Sequence, residues 1–333
     1  MNRPAIVLAH LDGMECFNSE DLAALGAAGE VLDAEALSRW DDPRADALLA
    51  RAEVIVGHWG CPPIDGGLLD RAPNLGLIAY AAGTVKGTIA PEVMDRVRVT
   101  SGANANAAPV AEFTLAMILL ANKNTFMARD LIRSPEQFDA VQDPAHPVGN
   151  FNKTIGIIGA SLIGRRVIEL LRPFPALNVA VYDPFLSAEE AAELGVAKME
   201  LNELCASSQI VSIHAPDLPS TRHMVGAEQL AAMPTGATLI NTARGRLLDH
   251  DALTAEIAAG RLYAILDVTD PEPLPDGHLL RSSSNVFLTP HIAGSQGTEL
   301  RRMSQYAAEE IRRYVAGEPG INVITRAQLD RLA

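Results

Sequence analysis

Short apolar runs punctuate the chain, and their spacing constrains its fold more than any other feature. "AIVLA" (5–9), "AEVIVG" (52–57), "LGLIAY" (75–80), "VRVTS" (97–101), "TIGIIG" (154–159), "NVAVYD" (178–183), "QIVSIH" (209–214), "ATLINT" (237–242), "YAILDV" (263–268) and "NVFLTP" (285–290) are mostly apolar rather than strictly alternating. Strands of that kind are buried on both faces, the condition of a parallel sheet covered by crossover helices. Helix-like stretches lie between most of the runs, so the pattern predicts successive βαβ units. No short period recurs, which excludes a solenoid.

At 333 residues the chain exceeds the roughly 250–300 residues at which a single core stops growing, so two domains are expected. With 48% hydrophobic and 20% charged residues either domain can bury a full core. The 41 acidic against 27 basic residues give a net charge of −14. That field repels nucleic acid and anionic membranes, leaving a small molecule as the expected partner. The apolar part of "MNRPAIVLAHLDGMECF" ends before His10 and Asp12, too short for a signal peptide. The longest apolar stretch, 107–121, is interrupted by Glu112 and Thr114 and falls short of the roughly 20 residues that span a bilayer. A soluble, cytoplasmic chain is the expectation. Cys16, Cys61 and Cys205 stand alone without ligand spacing, so buried or idle thiols and no metal site are expected.

Asn106 to Asn124 reads as a long helix, apolar nearly all round, followed from Arg129 to Lys153 by a polar, proline-containing connector or subunit contact. The last helical pattern, Gly297 to Ala316, has no strand partner nearby and is placed with the first domain. The expected division is 1–103 with 295–333 as one domain and 104–294 as the other.

"TIGIIGASLIGRRV" carries a strand through a glycine-bounded turn into a helix whose Ile163, Val167, Leu170 and Leu171 share a face. In such a unit Gly159 permits the tight turn and Gly164 allows the helix to pack close to the strand. The helix N-terminus then offers N–H groups to a pyrophosphate. Ser161 stands where the usual Gly-x-Gly-x-x-Gly has its middle glycine. Its Cβ is tolerated if φ is negative, whereas a left-handed backbone there would cost about 1–2 kcal/mol. Taken alone, this degenerate motif is equally a plain strand-to-helix turn. The next strand ends in Asp183, about 20 residues on, where a carboxylate accepts hydrogen bonds from an adenosine ribose and repels a 2'-phosphate. NAD is therefore expected over NADP.

Ligands of open α/β sheets sit beyond the carboxyl ends of the strands. Arg244 follows "ATLINT", Glu272 follows "YAILDV" between two prolines, and His291 follows "NVFLTP". Hydride transfer at an oxygen-bearing carbon needs a proton moved at that oxygen, and His suits the task. A carboxylate on the other imidazole nitrogen would orient the ring, and Glu272 can supply it. A guanidinium can hold the adjacent carboxylate and carbonyl of a 2-oxo acid in a fixed fork, and Arg244 supplies that. Each residue alone has a duller explanation; their joint placement argues against coincidence.

"GASLIG", "YDPF", "SIHAP", "LINTARGRLLDHDAL", "LDVTDPEPLP" and "LTPHIAG", in this order, resemble the D-isomer-specific 2-hydroxyacid dehydrogenase family. The resemblance runs from Pro4 to about Gly317 and is densest from Thr154 to Gly294. It implies an α/β fold of two doubly wound parallel-sheet domains, a Rossmann NAD-binding domain inserted into a flavodoxin-like substrate domain, usually as a homodimer. By motif it implies that Arg244, Glu272 and His291 are catalytic. NAD contacts are implied at Gly159, Ser161, Leu162, Ile163, Gly164, Asp183, His214, Pro216, Thr242, Ala243, Arg244, Asp267, His291 and Gly294, with Asp267 near the nicotinamide amide. Substrate contacts are implied at Ala82, Gly83 and Thr84 of "YAAGTVKG", at Asn106 and at Arg244. The chain departs from the family pattern at Ser161, at Leu162 where a basic residue is frequent, after Gly83 where an acidic one is common, and at Pro109. The implied activity is interconversion of a D-2-hydroxy acid and its 2-oxo acid. Glu272 argues against formate-dehydrogenase-like relatives, which resemble a pattern with Gln there. An NAD-sensing, corepressor-like binding protein on the same scaffold is the alternative.

Overall fold

The computed structural model describes residues 3–126, 128 and 148–331. The chain divides into two compact units, Met1–Ala107 with Ser295–Ala333, and Ala108–Gly294. Much of the connector expected from Arg129 to Lys153 lies outside the described residues, which resume at 148.

The first unit is built on a sheet of β1 (Ala5–Ala9), β2 (Glu30–Val31), β3 (Val54–Gly57), β4 (Leu77–Tyr80) and β5 (Arg98–Ser101), ordered β2-β1-β3-β4-β5. Every pairing is parallel. Successive residues of a strand point to opposite faces, so Ile6 and Leu8 enter one apolar cluster and Val7 and Ala9 the other. The helix Ser19–Ala28 opens with a reciprocal cap, in which the Asn18 side chain accepts from Asp21 N and Asp21 accepts from Asn18 N. The helix Leu300–Val315 packs against it and against β4. Its Met303, Ala307 and Ile311 are fully buried, and each large apolar side chain so covered contributes about 1.5–3 kcal/mol. A buried carboxylate needs bonded partners. Glu310, on the same helix, accepts from Ile321 N (2.8 Å) and Asn322 N (3.3 Å), tying down the segment that follows the helix.

The second unit carries β6 (Lys153–Ile158), β7 (Leu177–Tyr182), β8 (Ala197–Lys198), β9 (Ile210–Ile213), β10 (Thr238–Asn241), β11 (Tyr263–Leu266) and β12 (Val286–Leu288), ordered β12-β11-β10-β9-β6-β7-β8. All pairings are parallel. Ile155, Ile157, Ile240 and Ile265 face one cluster, while Ile158, Leu239, Ala264 and Leu266 face the other. The chain reverses direction of winding between β6 and β9, the switch point outside which α/β sheets bind ligands. The doubly wound reading holds for both units. The two-residue strands β2 and β8 escaped it, because so short a segment carries no apolar pattern.

The helix expected over Asn106–Asn124 spans Ala103–Asn122. Its 20 residues make it long and apolar enough to cross a membrane by length and composition, which corrects the expectation that this stretch falls short. Core packing accounts for part of that composition, with 39% of the apolar window buried. Ala111, Ile118 and Ala121 join the cluster of Ile155 and Ile157. Buried Thr114 donates to Val110 O (2.8 Å) and shares a hydrogen bond with Thr242 (3.1 Å).

Candidate active site

The glycine loop links β6 to the helix Leu162–Leu171. Gly159 has φ +97, and a Cβ there would lie 2.7 Å from Ala215 N, so the ends of β6 and β9 touch backbone to backbone. A Cβ on Gly164 would lie 2.0 Å from Gly159 O, leaving no room for any side chain. Ser161 has φ −67, an ordinary backbone that carries no Cβ penalty, and its Oγ caps the helix by accepting from Gly164 N at 3.3 Å. The first amides of a helix have no intrahelical acceptor, which leaves those of Leu162 and Ile163 for an anion. Leu162 is 53% exposed.

Asp183 directly follows β7 beside this loop. One carboxylate oxygen accepts from Ala160 N (2.7 Å) and the other from Phe185 N (2.8 Å). Each oxygen keeps a second lone pair, so the group can still accept from a ribose diol. Together the glycine turn, the capped helix and the placed carboxylate fit a dinucleotide. Arg165, within the helix, bonds Ala160 O and pairs with Glu190, and Arg166 pairs with Glu169.

His214, just past β9, is fully buried. Its Nε2 shares a hydrogen bond with Ser212 Oγ (2.9 Å), and burial pushes its pKa down to about 3, so it packs as a neutral ring. Pro216 O accepts from Thr221 Oγ1 (2.6 Å).

The turn after β10 is braced by Asn241, whose side chain accepts from Ala243 N (3.0 Å) and donates to Arg244 O (2.9 Å). The Arg244 guanidinium donates to Ala243 O (2.6 Å). A Cβ on Gly245 would lie 2.1 Å from the Thr269 backbone. The Arg244 turn therefore abuts the loop that carries Glu272.

His291 Nδ1 and Glu272 Oε1 are 2.9 Å apart, with the side chains 49% and 42% exposed. An exposed ion pair adds about 0–1 kcal/mol to stability, so this one orients the ring more than it holds the fold. His291 also has φ +56, a left-handed backbone that costs a non-glycine residue about 1–2 kcal/mol. Asp267 holds the conformation. It is 2% exposed, and its Oδ1 accepts from Thr289 Oγ1 (2.6 Å) and Ile292 N (2.8 Å) while Oδ2 accepts from Ala293 N (2.9 Å). His291 N donates to Asp267 O (2.9 Å). Strain maintained by an over-determined network is a mark of a functional site.

In the first unit Ala82, Gly83 and Thr84 follow β4. Ser101 Oγ donates to Gly83 O, Thr84 Oγ1 accepts from Lys86 N (3.1 Å), and a Cβ on Gly83 would meet Asn106 Nδ2 at 3.7 Å. Asn106 Oδ1 accepts from Ser295 N (2.9 Å). Sequence reasoning missed Asn241, Thr289 and Ser101. Asn241 was within reach, since it sits at a strand end beside Arg244; the other two act through partners that only the sheets bring close. The three cysteines are buried free thiols.

The profile of the D-isomer specific 2-hydroxyacid dehydrogenase NAD-binding domain matches residues 115–293. A D-3-phosphoglycerate dehydrogenase of Methanocaldococcus jannaschii is 30% identical over 280 residues, 82% of this chain and 52% of that protein. The chain thus spans about half the length of such relatives. A glyoxylate reductase of Aeropyrum pernix is 31% identical over 313 residues, 91% of this chain and 92% of that protein. The crystal structure of a D-isomer specific 2-hydroxyacid dehydrogenase from Xanthobacter autotrophicus Py2, in complex with NADPH and MES, aligns with a TM-score of 0.75 at 27% identity over 98% of this chain and 99% of that one. None of these supports the corepressor-like alternative. By a match over more than half of its length, the chain belongs to the D-isomer-specific 2-hydroxyacid dehydrogenase family, and its second unit carries that family's NAD-binding domain.

Proposed function

We propose that the protein is an NAD-dependent oxidoreductase that interconverts a D-2-hydroxy acid and its 2-oxo acid. The observation that carries this reading is the His291–Glu272 pair at 2.9 Å, built on a strained turn that a buried carboxylate secures. With Nδ1 directed at Glu272, Nε2 is the nitrogen free to face substrate. In reduction Nε2–H gives its proton to the carbonyl oxygen; in oxidation Nε2 takes it back. Glu272 fixes the ring and Arg244 forks to the substrate carboxylate and carbonyl. The amides of Ala82, Gly83 and Thr84 bond the carboxylate, and Asn106 adds a further substrate contact. NAD, when bound, exchanges the hydride at substrate C2. Gly159 to Gly164 and Asp183 would hold it, and His214, Pro216, Thr242, Ala243, Asp267 and Gly294 would complete its site. The reading extends to a cytoplasmic homodimer without nucleic-acid or membrane partner, in keeping with the net charge of −14.

NADH consumption with a panel of 2-oxo acids tests the activity. His291→Ala should lower kcat about 10²–10⁴-fold in protein that still binds NADH by fluorescence titration. Turnover that survives the substitution unchanged would remove His291 from the chemistry.

A further inference from the structure

The sheet order β2-β1-β3-β4-β5 reverses winding between β1 and β3, and the crevice outside such a switch point is where a doubly wound sheet takes its ligand. The loop after β1, 10–18, and the loop after β3, 58–65, meet there. Leu11 N donates to Trp59 O at 2.9 Å, and Gly60, at φ +71, lies so close that a Cβ would fall 2.4 Å from Leu11 Cβ. The β4 loop with Ala82, Gly83 and Thr84 is next in the sheet. Of the few large apolar side chains left exposed among the described residues, Leu11 (51%) and Met14 (37%) both stand on this rim. Beside them is Trp59, half-buried and packed against both clusters of the unit.

Formal charge on the loops after β1 and β3 is one-sided, while the β4 loop carries exposed Lys86 beyond Thr84. Neither of the first two loops contains Lys or Arg, whereas Asp12 and Glu15 are exposed on the first. His58 adds no cation. Its Nδ1 accepts from Trp59 N (2.8 Å), its ring lies edge-on between Phe17 and Trp59, and burial pushes its pKa down to about 3. On the neighbouring β2 side, Arg44 is bonded to Asp33, Glu35 and Asp42, and Arg39 faces Asp41 at 3.5 Å. Over the β1 and β3 loops a second anionic group on the substrate would meet Asp12 and Glu15, with Arg39 and Arg44 already engaged by carboxylates. A branched apolar group would cover Leu11, Met14 and Trp59, with the flexible thioether adapting to its shape.

We infer, resting on the function proposed above, that Leu11, Met14 and Trp59 select a mono-anionic 2-oxo acid with a bulky apolar side chain, and reject phosphorylated or dicarboxylic ones. The test compares kcat/KM with NADH for 4-methyl-2-oxopentanoate, glyoxylate, 2-oxoglutarate and 3-phosphohydroxypyruvate. The branched acid should exceed glyoxylate about tenfold or more, and the two dianionic acids should fall about 100-fold below it. Leu11→Arg and Met14→Arg, both at exposed positions that leave the core intact, should each cut the branched-to-phosphorylated ratio about tenfold or more. Turnover of glyoxylate with no apolar preference, a preference for a dianionic acid, or ratios unmoved by both substitutions would overturn this inference alone. Protein that binds NADH but turns over none of the four would overturn the proposed activity with it.

Discussion

The glycine loop after β6 and the histidine turn after β12 both present backbone at the carboxyl end of a parallel strand, yet they are fixed by opposite means. The loop is shaped by what is missing. Gly159 and Gly164 have no Cβ, and the atoms that a Cβ would strike are backbone. The turn is shaped by an added group, since Asp267 collects three hydrogen bonds from Thr289, Ile292 and Ala293 and so maintains a left-handed His291. A site built on absence cannot tolerate gain of volume. One built on a bonded carboxylate cannot tolerate loss of an acceptor.

Gly164→Ala should produce the larger effect. The new Cβ would sit 2.0 Å from Gly159 O, and a carbonyl held in the turn cannot yield as a side-chain tip can. Displacing the loop at an overpacking cost of about 3 kcal/mol weakens NADH binding about 100-fold, as read by fluorescence titration. Affinity within a factor of two of the parent would show that loop and helix separate freely, and the contrast with the turn would fail.

Asp267→Asn should do less to the cofactor and more to the chemistry. An amide keeps one acceptor oxygen and turns a donor toward the N–H that its other atom must face, so about 1–3 kcal/mol is lost. The turn then relaxes from left-handed φ. A displacement of His291 by about 1 Å costs on the order of 10²-fold in turnover, so kcat should fall well before NADH affinity does. Equal loss in both would assign Asp267 chiefly to the cofactor contact that the family resemblance implies.

The same contrast explains what the sequence could disclose. Glycine spacing and a strand-end Asp are local patterns, so Gly159, Gly164 and Asp183 could be read directly, as could the strands whose apolar runs are long enough to register. Asp267 was legible as a strand-end acid, but its partners lie on the far side of β12. That role depends on β11 and β12 being neighbours, which periodicity does not specify. Arg244, Glu272 and His291 were legible because each lies in the loop that leaves a strand's carboxyl end. The Arg244 turn meets the Glu272 loop where Gly245 lies against Thr269, a contact set by sheet order. The start of the long helix at Ala103 was missed by three residues because Ala103–Asn106 is polar and apolar by turns.

The smallest expected effect concerns Ser161, where the loop departs from its usual pattern. At φ −67 the backbone does not require glycine, so Ser161→Gly relieves no strain and forfeits only the cap. N-cap Ser→Gly costs a few tenths of a kcal/mol, and Ser→Ala about 1 kcal/mol. The cap bond is long at 3.3 Å, which places both variants toward the low end. In a unit of this size that is a fall in Tm of about 2–4 °C for Ser161→Ala and less for Ser161→Gly, with NADH affinity within about twofold. A marked gain in NADH affinity on Ser161→Gly would mean that the serine obstructs the phosphates after all. It would also move the loop's constraint from Gly159 and Gly164 to its middle position, against the geometry that leaves the amides of Leu162 and Ile163 open beside it.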